Sequence, residues 1–269
     1  MESSKLKYEE NKLRDGSDYV LIYEGSLSKH RSAVLGCRGW ANMGIYKPGL
    51  HRELDAIGEA FAKEGYVWAA TDYGVGGYPI KKALASLNIL QMKLKSEGLK
   101  SFSVIGFSMG GQIALMYSIK YPDNVSCVVD VYGVSDLPRL VSEVRRKMCL
   151  LPLFLPIYRD INILKVAKKF LKDVSEEFGV KKLFSPYPEG YFEYSPIHNI
   201  DKLNVPVLIV HGTKDLLVPY KHSVTFYEKL KKMGKTVSLV TVKDGGHDQE
   251  TVKKAIEEIL GFTKRYNPP

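Results

Sequence analysis

A serine fenced by glycines, an aspartate and a histidine follow one another along this chain, each just beyond an apolar run. Ser108 lies in Gly106-Phe107-Ser108-Met109-Gly110, Asp215 in His211-Gly212-Thr213-Lys214-Asp215, and His247 in Asp244-Gly245-Gly246-His247. A serine hydroxyl is a poor nucleophile at neutral pH. An imidazole must take its proton during attack and return it to the leaving group, while a carboxylate holds that ring in one tautomer and stabilises the imidazolium. These three residue types point to acyl transfer through a covalent intermediate if the fold brings them to one place.

The elements around Ser108 are legible. Phe102 to Ile105 has the character of a buried strand, and Ile113, Ala114, Leu115, Tyr117 and Ile119 supply the apolar face of a following helix. Gly106 to Gly110 therefore occupies a strand-to-helix turn, the setting of a G-x-S-x-G nucleophile elbow, where small neighbours let backbone approach closely. The serine stands at a helix N-terminus, which favours developing negative charge. Motif geometry makes the Met109 N–H the first oxyanion donor. The second is expected from the loop after an earlier strand, Gly36 to Gly44, with Gly39 the first candidate and Trp40 the next.

Predicted strands at Tyr19–Tyr23, Ala33–Leu35, Val67–Thr71 and Val125–Tyr132 alternate with helical patterns running to Lys63 and over Ile80–Leu94. That rhythm predicts an α/β protein with a mostly parallel sheet and helices on both faces. Residues 135–204 break it. A stretch of about seventy residues is too long for a plain connection and is expected to form a cap or lid insertion on a single 1–269 domain. Within it, Met148 to Tyr158 is the most apolar segment, too short and proline-broken to span a bilayer, so no stable membrane insertion is expected and inward packing is.

Alternation resumes with the strand Val205–Val210, a helix carrying Val224, Tyr227 and Leu230, the strand Val237–Val242, and a final helix through Val252, Ile256 and Ile259. In a parallel sheet the C-terminal strand ends share one edge, where ligands bind. Ser108, Asp215 and His247 would meet there. Asp130 and Asp136, at or after the preceding strand, are alternatives to Asp215 as the acid. His211 is the rival of His247, but it abuts a buried strand and is expected to pack or hydrogen-bond locally.

Composition narrows the function classes. The chain has 269 residues, 45% hydrophobic and 26% charged, and a net charge of +9. Its lysines are spread along helix faces with no dense basic block, so no nucleic-acid partner is expected. The glycines of Asp72–Tyr78 match no nucleotide-binding spacing, and neither C-x-x-C nor H-E-x-x-H occurs, so no cofactor and no metal are expected. Cys37, Cys127 and Cys149 are expected to be buried reduced thiols. Met1 to Asp18 lacks an apolar core, which predicts no secretory signal and a cytoplasmic location. The sequence leaves the oligomeric state open.

With these residues in place, the chain resembles the α/β-hydrolase superfamily, and more closely the catalytic domain of prolyl oligopeptidase-like (S9-type) serine hydrolases. The resemblance is carried by Gly106 to Gly111, by Tyr194-Ser-Pro-Ile-His-Asn-Ile-Asp201 leading through Val205–Asp215, by Val218-Pro219 and by Gly245-Gly-His247. It runs from about Tyr19 to Phe262 and implies a cofactor-independent Ser-His-Asp hydrolase of small ester or short peptide substrates, with Ser108, Asp215 and His247 in those roles. Two departures stand out: Cys37-Arg38 replaces the usual His-Gly before Gly39, and the length leaves no room for the β-propeller that gates peptides. A carboxylesterase is therefore the first expectation, an aminopeptidase or oligopeptidase the second, and a non-catalytic ligand-binding hydrolase fold the third.

Overall fold

The computed structural model describes residues 5–40, 52–74, 76–154, 161–180 and 187–269. Ala41 to Gly44 of the expected oxyanion loop, Val75 of the glycine loop and the end of the apolar segment from Leu155 to Tyr158 lie outside the described residues. Eight strands among the described residues form one sheet: β1 (Leu6–Lys12), β2 (Asp18–Glu24), β3 (Ser32–Cys37), β4 (Val67–Thr71), β5 (Ser101–Phe107), β6 (Cys127–Val131), β7 (Val207–Gly212) and β8 (Val237–Val242). Their order is β1-β2-β4-β3-β5-β6-β7-β8. β2 pairs antiparallel with β1 and with β4, whereas β4-β3-β5-β6-β7-β8 are all parallel.

The strand period of two sorts side chains into two cores. On β3, Ala33, Leu35 and Cys37 enter one core while Val34 enters the other; on β5, Phe102 and Val104 part in the same way from Ile105 and Phe107. Helices α2 (Ile80–Ser96) and α3 (Met109–Lys120) cover the first face through Leu84, Leu87, Leu90, Ile113 and Tyr117. Helices α1 (Arg52–Lys63) and α9 (Ile256–Tyr266) cover the second through Ile57, Phe61 and Ile259. Both faces of β3 to β7 are thus buried, which is why these strands read as continuous apolar runs, whereas β8 at the sheet edge is only partly buried.

The connection from β6 to β7 carries α4 (Leu137–Phe154), α5 (Ile161–Glu177) and the short α6 (Glu189–Glu193); α7 (Lys221–Lys232) links β7 to β8. The C-terminal pattern divides into α8 (Gln249–Lys254) and α9, because Ala255 leaves helical geometry at φ −110°, ψ 10°. The side chain of Asp248 caps α8 by accepting the Thr251 N–H. Cys37 and Cys127 are buried as expected, but Cys149 is exposed on α4: its neighbours in sequence are apolar, yet its position on the helix points outward.

Candidate active site

Each predicted site residue stands at the C-terminal edge of a parallel strand. Ser108 follows β5 and leads directly into α3, with φ 58° and ψ −122°. A positive φ is costly for a residue with a side chain, and such strain is held only where surrounding structure over-determines it. Here the Ser108 N–H donates to the Val131 carbonyl at 3.0 Å, and the Ser108 carbonyl accepts from Gly111 N–H at 2.9 Å. The glycines are required by crowding: a Cβ at Gly106 would lie 1.9 Å from the Gly110 carbonyl oxygen, and one at Gly110 would lie 2.1 Å from that of Cys37. The elbow is clamped against the end of β3, and Ser108 itself is half-buried.

Asp215 follows β7 and is held from all sides. Its Oδ1 accepts the N–H groups of Leu217 and Val218, both at 2.9 Å; its Oδ2 accepts His247 Nδ1 at 2.6 Å and His211 Nε2 at 3.1 Å. Burial alone would raise its pKa, but hydrogen bonds from His211 and His247 and the attraction of both rings hold the carboxyl well below the usual carboxylate range. His247 follows β8 on a loop tied to the acid's own loop, since Lys214 N–H donates to the Gly245 carbonyl at 2.8 Å and Thr213 N–H to that of Val242 at 3.0 Å. With Nδ1 donating to Asp215, Nε2 of the neutral ring is the basic nitrogen.

The structure thus brings Asp215 and His247 into direct contact; the alternative acids Asp130 and Asp136 take no part in it, and the alternative histidine, His211, touches Asp215 from the buried side. His211 is wholly buried on β7, where Nε2 also reaches the Val218 carbonyl at 2.9 Å and Nδ1 meets the Ser223 hydroxyl at 2.7 Å. Both Nε2 partners are acceptors, so Nε2 carries the proton and Nδ1 of the neutral ring accepts from Ser223. Asp136 caps α4 by accepting the Arg139 N–H at 3.0 Å. Asp130 lies under the elbow on β6, fully buried, its Oδ1 so close to Gly111 and Gly133 that a Cβ on either would meet it at 2.1 or 1.8 Å. Neither carboxylate oxygen has a full hydrogen bond, and burial pushes its pKa up to about 7 against weaker opposing pulls from His211 and the Gly133 N–H.

On the far side of Ser108, Gly39 packs against the elbow: a Cβ there would lie 3.3 Å from the Phe107 carbonyl oxygen and 3.4 Å from Ser108 Cβ. Met109 is the first residue of α3. Trp40 turns its indole N–H to Asp173 of α5, at 2.7 Å.

Sequence reasoning missed two neighbours of these groups. Tyr132, at φ 42° just past β6, sets its ring 4.3 Å from that of His247. Its only sequence signal was its place as the last residue of the predicted strand Val125–Tyr132. Arg38 is buried and donates through Nε and Nη2 to the Asp72 carbonyl and through Nη1 to that of Gly39, at 3.2, 2.8 and 3.2 Å. An arginine where the resemblance led to expect a glycine was the signal for it.

Comparison with known proteins agrees with this architecture. The alpha/beta hydrolase fold matches residues 69–136, the segment holding Ser108, and the prolyl oligopeptidase family matches residues 168–267, the segment holding Asp215 and His247. The uncharacterized peptidase YtmA of Bacillus subtilis is 26% identical over 211 residues, covering 74% of this chain and 68% of that protein. The Pyrococcus furiosus esterase superposes with a TM-score of 0.64 at 21% identity, over 98% of this chain and 92% of the esterase. The Pyrococcus horikoshii acylaminoacyl peptidase superposes with a TM-score of 0.70 at 16% identity, over all of this chain but 42% of the peptidase. The chain is a serine hydrolase with the α/β-hydrolase fold. Within that fold it resembles the S9-type enzymes.

Proposed function

We propose that Ser108, Asp215 and His247 form a catalytic triad that hydrolyses carboxylic esters. The observation that carries this reading is the 2.6 Å contact between His247 Nδ1 and Asp215 Oδ2, at the same sheet edge as a serine in a strained elbow. His247 Nε2 takes the Ser108 proton as Oγ attacks the acyl carbon. The oxyanion is held by the Met109 N–H and by the loop at Gly39 or Trp40. The imidazolium then protonates the leaving alcohol, and water, activated by the same ring, hydrolyses the acyl-enzyme. Ester rather than peptide substrates are favoured by the apolar surroundings. Leu216 and Leu217 are exposed beside the acid, and Trp40, Phe170 and Tyr78 meet edge to face beside Gly39, with ring centroids 5.8 and 5.7 Å apart. Asp173, which could answer a substrate amine, is already engaged by Trp40 and Lys169.

Residues 135–204 act in this proposal as a cap on a single domain, and the protein works in the cytoplasm, where Cys37, Cys127 and Cys149 stay thiols. Among the described residues no helix is long and apolar enough to cross a membrane. A second reading, cleavage of short peptides, is favoured by the prolyl oligopeptidase match over the acid and histidine segment. Acyl p-nitrophenyl esters compared with aminoacyl-naphthylamides, on wild type and Ser108→Ala, test both. Ester turnover that Ser108→Ala abolishes supports the proposal; faster amide turnover moves the assignment to the peptidase; ester turnover that survives Ser108→Ala refutes the triad.

A further inference from the structure

Helix α5 belongs to the connection between β6 and β7, yet one of its faces is bound to the loops after β3 and β4. Phe170, Asp173 and Glu177 are spaced by three and four residues, which aligns them along one stripe of a helix. Phe170 packs edge-on against Trp40 and Tyr78. Glu177 Oε1 accepts the Lys81 N–H at 2.9 Å, in the first turn of α2. Between them Asp173, 5% exposed, accepts the Trp40 indole N–H at 2.7 Å and receives Lys169 Nζ at 3.1 and 3.2 Å.

The Trp40 contact matters because of what precedes it in the chain. Gly39 packs against Ser108, and its carbonyl is held from below by Arg38, whose guanidinium is anchored on Asp72. Residues 38–40 are therefore fixed at two points: at Arg38 by its own buried guanidinium, and at Trp40 by a carboxylate on a helix from elsewhere in the chain. A buried carboxylate is costly unless paired, so Asp173 has a strong preference for the arrangement in which Trp40 and Lys169 both reach it.

We propose that Asp173 is a positioning residue for the reaction: from α5, through Trp40, it fixes the Gly39–Trp40 backbone in the place where it receives the oxyanion, so that docking of this helix completes the active site. The inference rests on the triad and oxyanion reading given above. Asp173 touches no reacting atom. Its effect falls on the transition state rather than on substrate binding, because a donor displaced by a fraction of an ångström loses its hold on the oxyanion while the acyl group still binds.

Two tryptophans occur in the chain, and Trp68 is fully buried, so acrylamide quenching of intrinsic fluorescence reports Trp40 independently of catalysis. The test is Asp173→Ala, Asp173→Asn and Trp40→Phe, each measured for ester kcat and KM per fluorophosphonate-titrated site, with quenching followed in the Asp173 pair. Asp173→Ala is expected to raise the quenching constant at least about two-fold and to lower kcat about ten-fold, with KM within about two-fold. Asp173→Asn keeps an acceptor for the indole and is expected to stay within about three-fold of wild type on both readouts. Trp40→Phe is expected to match the kcat loss of Asp173→Ala, and combining the two is expected to add little further loss, as for residues acting through one contact. Unchanged quenching in Asp173→Ala, unchanged kcat per titrated site, or a loss confined to KM would overturn the proposal. A wild-type protein that neither turns over esters nor takes the probe refutes the hydrolytic reading instead, while quenching still decides whether Asp173 holds the loop.

Discussion

The rings of His211 and His247 meet at a single oxygen: Oδ2 of Asp215 lies 3.1 Å from Nε2 of the first and 2.6 Å from Nδ1 of the second. His211, wholly buried, is therefore the donor that aims the carboxylate at His247. Replacing it by leucine removes that donor and leaves the Ser223 hydroxyl without its acceptor. His211→Leu should lose about 1–3 kcal/mol of stability in urea unfolding and lower kcat by roughly ten-fold, with Ser108 still reactive. A variant of wild-type stability and rate would show that the shared oxygen has no consequence.

Asp215 itself is held charged by its four donors. Its folded pKa lies below the unfolded value, so the stability it contributes is present above the ordinary carboxylate range and is lost as pH falls through the lowered folded value. Asp215→Asn should lower kcat by about 10³–10⁴-fold, the loss expected when the imidazole tautomer is no longer fixed. The stability difference between variant and wild type should hold steady from pH 7 to 5 and shrink below about pH 4.

Asp130 has the opposite sign. Its folded pKa, pushed up to about 7, exceeds the unfolded value, so its favourable contribution is complete below the unfolded pKa and is lost as pH rises toward 7. Asp130→Asn, which cannot ionise, should match wild type near pH 4 and be more stable at pH 8, by an amount on the order of 4 kcal/mol at most. Thermal unfolding across that range checks it; parallel pH profiles for the two proteins would contradict it.

Gly110→Ala tests the elbow's packing. The added methyl would sit 2.1 Å from the Cys37 carbonyl oxygen and 2.5 Å from that of Arg38, both backbone atoms, so it meets no flexible side chain that could give way. A destabilisation of about 3 kcal/mol or more is expected, measured by urea unfolding, together with loss of activity.

Much of this was legible in the sequence because the inner parallel strands, β3 to β7, are buried on both faces. β5 and β7 read as apolar runs and β8 as a β-branched one with Ser238 and Thr241 exposed; Ser108, Asp215 and His247 come just beyond them, at one edge of the parallel sheet. β1 was not legible: Leu6–Lys12 is an edge strand whose residues are mostly exposed and polar, and only pairing with β2 makes it a strand. β2 runs against the parallel strands, antiparallel to both β1 and β4, which alternation of helix and strand alone could not reveal. Around the site, the missing parts are contacts between distant residues. Trp40 and Asp173 are 133 positions apart, and the place of Tyr132 against His247 depends on how β6 and β8 sit across β7. Residue type and spacing mark which groups can do chemistry; the groups that hold them come from packing across the sheet edge.

The central claim is that Ser108 is an activated nucleophile, and covalent labelling tests it most directly. Wild-type protein treated with a fluorophosphonate at neutral pH should gain one adduct, mapped by peptide mass spectrometry to Ser108, with Ser108→Ala unlabelled and His247→Ala labelled far more slowly. An unlabelled wild type, or an adduct on another residue that persists in Ser108→Ala, would contradict the account.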